Sequence, residues 1–357
     1  MTSSSLTLDH SRHAPTQRGL KLGFLGTGWI GQHRMASIFE TGLVETAVVY
    51  DAIGSNAQKA ASLAANATCA TTVEELMNPE LDGIVIATPN AGHARQCLEA
   101  LDRGLSVFCQ KPLGRNAAEV QSVIEAAAAG DRLLGVDLSY RGSLAMQKAC
   151  ACVRSGGIGD VYAASFVFHN AYGPDKPWFY NRDMSGGGCL LDLGVHLVDA
   201  ALWMLDFPEI VSVSSRLYQN GRPYQPGLEG VEDFAFAELV TAAGTCIRLS
   251  CSWNLHAGRD AIIAADLHGS TGGVSVSNCH GSFYDFSCHR HQGTNSEVLT
   301  GPPDDWGGRM AARWAQQLAA DPRFDASAWP LLDVTRVLDA IYAASSKNNT
   351  QVSQFTR

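Results

Sequence analysis

Asp192, His196 and Asp199 are the polar side chains in an otherwise apolar stretch from Leu190 to Leu205. At i, i+4 and i+7 they fall on one stripe of a helix. A histidine one turn from a carboxylate suits a general base held in place by an acid, because imidazole titrates near neutral pH. The competing reading is a core histidine whose aspartate neighbours meet backbone groups or another helix. Gly194 weighs against it, since glycine inside a helix costs about 1 kcal/mol relative to alanine and signals close approach of a ligand or another backbone. Three further glycines, Gly186 to Gly188, open the segment.

A second reactive group comes from the first half of the chain. Leu105 to Cys109 reads as a buried strand and runs into Gln110-Lys111-Pro112-Leu113-Gly114. A lysine at the carboxyl end of such a strand can reach both a nicotinamide ribose and a substrate hydroxyl, although an isolated lysine is usually solvated surface charge. The cradle for a nucleotide precedes it. The apolar run Leu20 to Gly26 enters Gly26-Thr27-Gly28-Trp29-Ile30-Gly31 and then a helical segment to about Phe39. In that strand, turn and helix order, Gly26 permits the tight turn, Gly28 admits the pyrophosphate and Gly31 lets helix pack on strand. Thr27, Trp29 and Ile30 belong to the same cofactor-binding turn. A second strand, Val44 to Tyr50, ends in Asp51, placed to bind adenosine ribose hydroxyls and to repel a 2′-phosphate; no arginine follows in 52–56. NAD is favoured over NADP. The strand Leu81 to Ala87 ends in Thr88-Pro89-Asn90, with His93 beyond, at the same crevice.

The elements that carry these groups alternate between strand and helix as far as Leu133 to Asp137, then change character. After a helix from Leu144 to Arg154, strands are expected at Val161 to Phe168, Ile210 to Leu217, Asp233 to Leu239, Thr245 to Trp253, Ala261 to Asp266 and Gly273 to Val276. So many strands without intervening helices predict an antiparallel sheet. Helices close the chain near Arg309 to Ala319 and Leu331 to Ala344. Tyr172, Trp178, Tyr180 and Arg182 lie in the loop before the opening glycines, where rings and polar groups would suit a sugar. Tyr140, Arg141, Asn170, Trp178 and Trp253 are candidate substrate contacts, each with packing as the alternative role.

The 357 residues suffice for two domains, and 46% hydrophobic with 17% charged residues is an ordinary globular balance. A net charge of -9 argues against nucleic acid or an anionic membrane as partner. Residues 1–18 read as a loose tail without a secretory core, and no apolar run reaches the eighteen or so residues of a bilayer span, so a cytoplasmic protein is expected. Its ten cysteines are scattered and expected to be reduced. Cys279-His280 with Cys288-His289-Arg290-His291 matches no common zinc spacing, and no metal is expected.

Taken in order, Gly26-x-Gly28-x-x-Gly31, Ala87-Thr88-Pro89-Asn90 with His93, Lys111-Pro112, Tyr140-Arg141 and Gly186-Gly187-Gly188-x-Leu190-x-Asp192-x-Gly194-x-His196 resemble the glucose-fructose oxidoreductase, inositol dehydrogenase and MocA-like family. The resemblance spans about Leu20 to Leu205. It implies a Rossmann domain with a doubly wound, mostly parallel sheet over 19–140. A C-terminal α/β domain with an open, mainly antiparallel sheet would follow over 141–357, serving substrate binding and oligomerisation. It also implies an NAD(P)-dependent dehydrogenase acting on a sugar, polyol or related hydroxyl compound, with Lys111, Asp192 and His196 as the motif lysine, acid and histidine. In that mechanism His196 takes the hydroxyl proton, Asp192 orients the imidazole and Lys111 binds the same oxygen. Gln110 stands where the family usually has glutamate, which removes a negative charge beside Lys111. The alternatives are an NAD-retaining glycoside hydrolase or epimerase and an inactive nucleotide or sugar sensor, the latter motivated by Gln110. An exposed face on the second sheet would favour a homodimer or homotetramer.

Overall fold

Apolar runs buried on both faces form the centre of the first sheet. The computed structural model describes residues 19–225, 227 and 229–347, so the tail expected over 1–18 lies outside the described residues. Strands β1 (Leu20–Leu25), β2 (Val44–Tyr50), β3 (Ala67–Cys69), β4 (Gly83–Ile86), β5 (Ser106–Cys109) and β6 (Leu134–Val136) pair in parallel in the order β3-β2-β1-β4-β5-β6. Helices α1 (Trp29–Phe39), α2 (Gly54–Ala61), α3 (Val73–Leu76), α4 (Asn90–Asp102) and α5 (Ala117–Ala129) form the crossovers. The strand order reverses direction between β1 and β4. Ligands of such sheets bind at that point, outside the carboxyl ends of the strands.

The second sheet is built from alternation. Beyond α6 (Leu144–Arg154) come β7 (Val161–Asn170), the short α7 (Arg182–Ser185), a π-helical turn at Leu190–Gly194 and α8 (Val195–Met204). Then follow β8 (Ile210–Gln219), β9 (Arg222–Pro223), β10 (Phe234–Thr241), β11 (Cys246–Ser252), β12 (Ala261–Gly269), β13 (Gly273–Asn278), β14 (Phe286–Gln292) and β15 (Asn295–Thr300). Nine strands lie in the order β15-β14-β13-β12-β7-β11-β10-β8-β9, antiparallel except for the β7–β11 pair. Alternate residues of β10 and β12 are buried beneath the helices, as the period of two requires. Strands β14 and β15 escape sequence reading because β14 carries Ser, His, Arg and His among its apolar residues.

The last two helices, α9 (Arg309–Ala320) and α10 (Pro330–Lys347), divide between the sheets. Ala311, Trp314, Ala315 and Leu318 follow helical spacing and join the buried cluster of Leu22, Phe24 and Val85, with the Trp314 ring 5.7 Å from Phe108. Thus α9 covers the parallel sheet, and a boundary at residue 140 separates the two sheets but not this helix. Arg182–Met204 has the length and apolar content of a membrane span, but most of it is buried within the protein.

Candidate active site

The glycine turn has a different physical requirement at each position. Gly26 adopts φ +84°, and a Cβ there would fall 2.6 Å from the Ala87 carbonyl oxygen. At Gly31 a Cβ would meet the Gly26 carbonyl, so glycine lets α1 close onto the turn. Nothing lies within 4 Å of a Cβ at Gly28, which lines the cavity at the N-terminus of α1. Packing within the protein does not demand glycine there; open space beside helical N–H groups is what an approaching pyrophosphate needs. Asp51 stands beside this turn as expected. Its Oδ2 accepts from the Thr27 N–H at 2.7 Å and its Oδ1 from the Ile53 N–H at 2.8 Å. Thr27 therefore departs from its expected cofactor contact: its amide is committed to Asp51, its side chain is fully buried, and neither it nor Gly31 lines the cavity.

Gly26, Gly28, Trp29, Ile30, Asp51, Thr88, Pro89, Asn90, His93, Gln110 and Lys111 do line that cavity, of about 980 Å3, together with Asp192 and His196 from the second half of the chain. Two of these residues also join loops. The ring nitrogens of His93 lie 2.7 Å from the Pro112 and Thr88 carbonyl oxygens, and Asn90 Nδ2 donates to the Ser185 carbonyl across the cleft.

Lys111 Nζ donates to the Asp192 carbonyl at 2.8 Å and to its Oδ1 at 2.7 Å; Asp192 Oδ2 accepts from Trp253 Nε1 at 3.1 Å. Both carboxylate oxygens are engaged, and the Asp192–His196 pair expected from the spacing is not formed. The cation outcompetes the imidazole, in a segment that winds as a π turn rather than an α turn. Trp253 accordingly orients Asp192 from β11's end. The entry to this turn is held by buried Glu232, whose Oε1 accepts from the N–H groups of Gly188 and Leu190 and from the Tyr342 hydroxyl. A Cβ at Gly188 would fall 1.8 Å from the Glu232 carbonyl oxygen. Gly194 likewise serves packing rather than a ligand, since its Cβ would lie 2.7 Å from Leu190 Cδ1 and 3.3 Å from Cys251 Sγ.

His196 is 8% exposed, with the Tyr140 ring edge-on at 4.9 Å and Phe168 at 6.3 Å. Its Nδ1 is buried without a partner, which leaves Nε2 as the nitrogen open to the cavity. Burial, reinforced by the Lys111 and Arg34 cations, holds its pKa well below 6.5. The imidazole is therefore neutral and able to accept a proton at neutral pH. The sign is definite: the unfolded chain takes up a proton near pH 6.5 that the folded chain refuses, so this residue costs stability as pH falls below 6.5. The acid limb of a kcat/KM profile governed by His196 is expected below pH 6.5, and a limb above it would count against this base.

Asp199, third on the stripe, accepts from Arg141 Nε at 2.9 Å and Nη2 at 2.5 Å. Arg141 is thus a core ion-pair partner and does not line the cavity, contrary to its expected substrate role. Tyr140, Asn170 and Trp178 do line it. Burial raises the Tyr140 phenol's pKa, keeping it protonated, and Trp178 stacks on Phe179 at 3.8 Å. Sequence reasoning missed Arg34, Asp137, Phe168, Phe179, Phe283, Tyr284 and Trp306, all of which face the cavity. They come from six places, with only Phe283 and Tyr284 adjacent, and share no local period. In β14, Cys288 is buried while His289 and His291 stack parallel on the other face. Among the described residues no group of three ligands is assembled for a metal.

Residues 20–138 match the family model described as "Oxidoreductase family, NAD-binding Rossmann fold", and residues 146–275 match the GFO/IDH/MocA C-terminal domain. D-glucoside 3-dehydrogenase of Escherichia coli (strain K12) is 26% identical over 301 residues, covering 81% of this chain and 83% of that protein. Inositol 2-dehydrogenase 3 of Saccharopolyspora erythraea is 28% identical over 263 residues, covering 72% and 73% respectively. The fold also matches a solved levoglucosan dehydrogenase in complex with NADH and levoglucosan, with TM-score 0.78 and 20% identity over 92% of this chain and 98% of that one. With both domain models matched in order on a parallel and a mainly antiparallel sheet, the chain belongs to the GFO/IDH/MocA family of oxidoreductases, with an NAD-binding Rossmann domain.

Proposed function

We propose that the protein is an NAD-dependent dehydrogenase that oxidises a hydroxyl carbon of a sugar, polyol or related compound, or runs the reverse reduction. The observation that carries this reading is the meeting of Lys111 and His196, from different halves of the chain, in the cavity that begins at Gly28. Gly28, the α1 N-terminus and Asp51 would hold the dinucleotide; when bound, NAD supplies the carbon that accepts hydride. His196 Nε2 takes the substrate hydroxyl proton. Lys111 gives two of its three N–H groups to Asp192 and directs the third at the same oxygen, stabilising charge as the proton leaves. Asp192 keeps Lys111 aimed and is itself held by Trp253. Trp178 and Tyr140 offer ring faces to C–H groups, while Asn170 offers an amide to hydroxyls. The named substrates of the relatives, a glucoside and inositol, fit this pocket chemistry. A reducing compartment and self-association through the second sheet's outer face are parts of the same proposal.

The test is purified protein with NAD or NADP and a panel of aldoses, polyols and glycosides. Reduced nicotinamide is expected with at least one of them, faster with NAD because Asp51 repels a 2′-phosphate. A chain that turns over none of the panel with either cofactor would sink the reading.

A further inference from the structure

A buried polar cluster lies beside the proton-transfer groups and has no part in the steps above. Gln110 and Asp137 are the first residues beyond β5 and β6, and those strands end as neighbours, with Cys109 paired to Val136. Arg34 reaches them from α1. Asp137 Oδ2 accepts from Arg34 Nε at 2.5 Å and from Gln110 Nε2 at 2.6 Å. Its Oδ1 is buried and has no hydrogen-bond partner, although all three residues line the cavity and Asp137 is only 1% exposed. One carboxylate oxygen is thus saturated while the other waits in a desolvated place, where an unmet acceptor is costly.

Position indicates what would meet it. The cluster lies between the glycine turn, through α1, and Lys111, through Gln110. In the reading proposed above, on which this inference rests, that is the nicotinamide end of the cleft. The donors there are the nicotinamide carboxamide N–H2 and the adjoining ribose hydroxyls. We propose that Asp137 is a cofactor-binding carboxylate: its Oδ2 fastens Arg34 and Gln110, and its Oδ1 accepts a hydrogen bond from the nicotinamide riboside half of NAD. Residue 110 is an amide because the acid of this pair stands at 137. Gln110→Glu, the obvious repair for the charge missing beside Lys111, would instead set two carboxylates at hydrogen-bonding distance.

The full-length chain is titrated with NADH and, separately, with ADP, which lacks the nicotinamide riboside, alongside melting of the cofactor-free protein. In Asp137→Asn the amide oxygen is claimed by Arg34 and Gln110, so an N–H2 faces the cavity where an acceptor stood. NADH affinity is expected to fall about tenfold and ADP affinity to change by less than about twofold. ADP-ribose separates the two donors: weakened binding assigns the ribose hydroxyls, and unchanged binding assigns the carboxamide. Gln110→Glu should lower the melting temperature and weaken NADH. In the exchange Gln110→Glu with Asp137→Asn, the carboxylate now at 110 accepts from both Arg34 and the amide N–H2 at 137, which turns the amide oxygen at 137 to the cavity and should return NADH affinity to within about threefold of the parent.

Unchanged NADH affinity in Asp137→Asn, equal losses for NADH and ADP, or an exchange variant no better than the poorer single would overturn the assignment. If Asp137→Asn does not fold, the exchange variant decides: NADH affinity near the parent's supports the pairing, and a loss of about tenfold or more refutes it. A parent chain that binds NADH but oxidises no sugar would refute the proposed reaction while leaving this binding series intact.

Discussion

Replacing His196 by asparagine is expected to lower kcat by two to four orders of magnitude, roughly the range for removing a positioned acid or base. NADH affinity should stay within about twofold, because the residue belongs to the second half of the chain and makes no hydrogen bond to the cradle. Asparagine keeps a polar group between Tyr140 and Phe168 without offering a nitrogen that can take a proton. Measured against the parent across pH, the variant should also lose the acid limb expected below pH 6.5. That second readout separates proton transfer from packing damage, which would lower activity equally at every pH. Residual turnover within tenfold of the parent, with the limb intact, would move the base elsewhere in the cavity. Lys111 bears on the same measurement, since its cation helps to keep His196 neutral. In the proposed reaction the same cation would act in two opposed ways, favouring loss of the hydroxyl proton by stabilising the oxygen while making the imidazolium that receives it less stable.

Much of the site was legible because it repeats a local grammar. Strand, glycine turn and helix read together located Gly26, Gly28 and Gly31, and an acid at the end of the next strand located Asp51. The parallel and antiparallel sheets followed from where helices stop alternating with strands. What failed was partner choice. Spacing put Asp192 beneath His196, but spacing says nothing about a lysine eighty-one positions earlier that binds an aspartate more strongly. It also assumed an α turn where Leu190–Gly194 winds as π. The glycine at 194 signals approach by a ligand or another backbone, whereas the groups that crowd it are the side chains of Leu190 and Cys251. The aromatic wall of Phe283, Tyr284 and Trp306 was invisible for another reason. Phe283 and Tyr284 are neighbours in one loop and Trp306 lies in another, and the tertiary bond from Trp306 Nε1 to the Tyr284 carbonyl joins the two loops. Helix α9 was readable as amphipathic at 311, 314, 315 and 318, but not as the cover of a sheet whose first strand begins at Leu20.

Arg141→Ala tests the other reassignment, and its large effect should fall on stability. Asp199 is 2% exposed and receives two hydrogen bonds from the guanidinium, which also lies 5.6 Å from the Phe207 ring and 6.0 Å from that of Trp203. Removing one partner leaves a buried charge uncompensated, a loss of about 3–5 kcal/mol. Burial already pushes the Asp199 carboxyl above its ordinary 3.8, against the pull of Arg141. Without the arginine it should rise further. A group whose folded pKa is raised binds more protons folded than unfolded, so its penalty grows as pH rises from 3.8 through the folded value and shrinks toward acid. Urea denaturation of Arg141→Ala should therefore show a deficit largest at neutral pH and partly relieved in acid. Arg141→Met with Asp199→Leu, which removes both charges and keeps bulk, should recover most of it. A loss below about 1 kcal/mol would class the contact with solvent-screened surface pairs. An Arg141→Ala variant of parental stability but with a raised KM for sugar would instead return Arg141 to the substrate, against the geometry that places it behind α8.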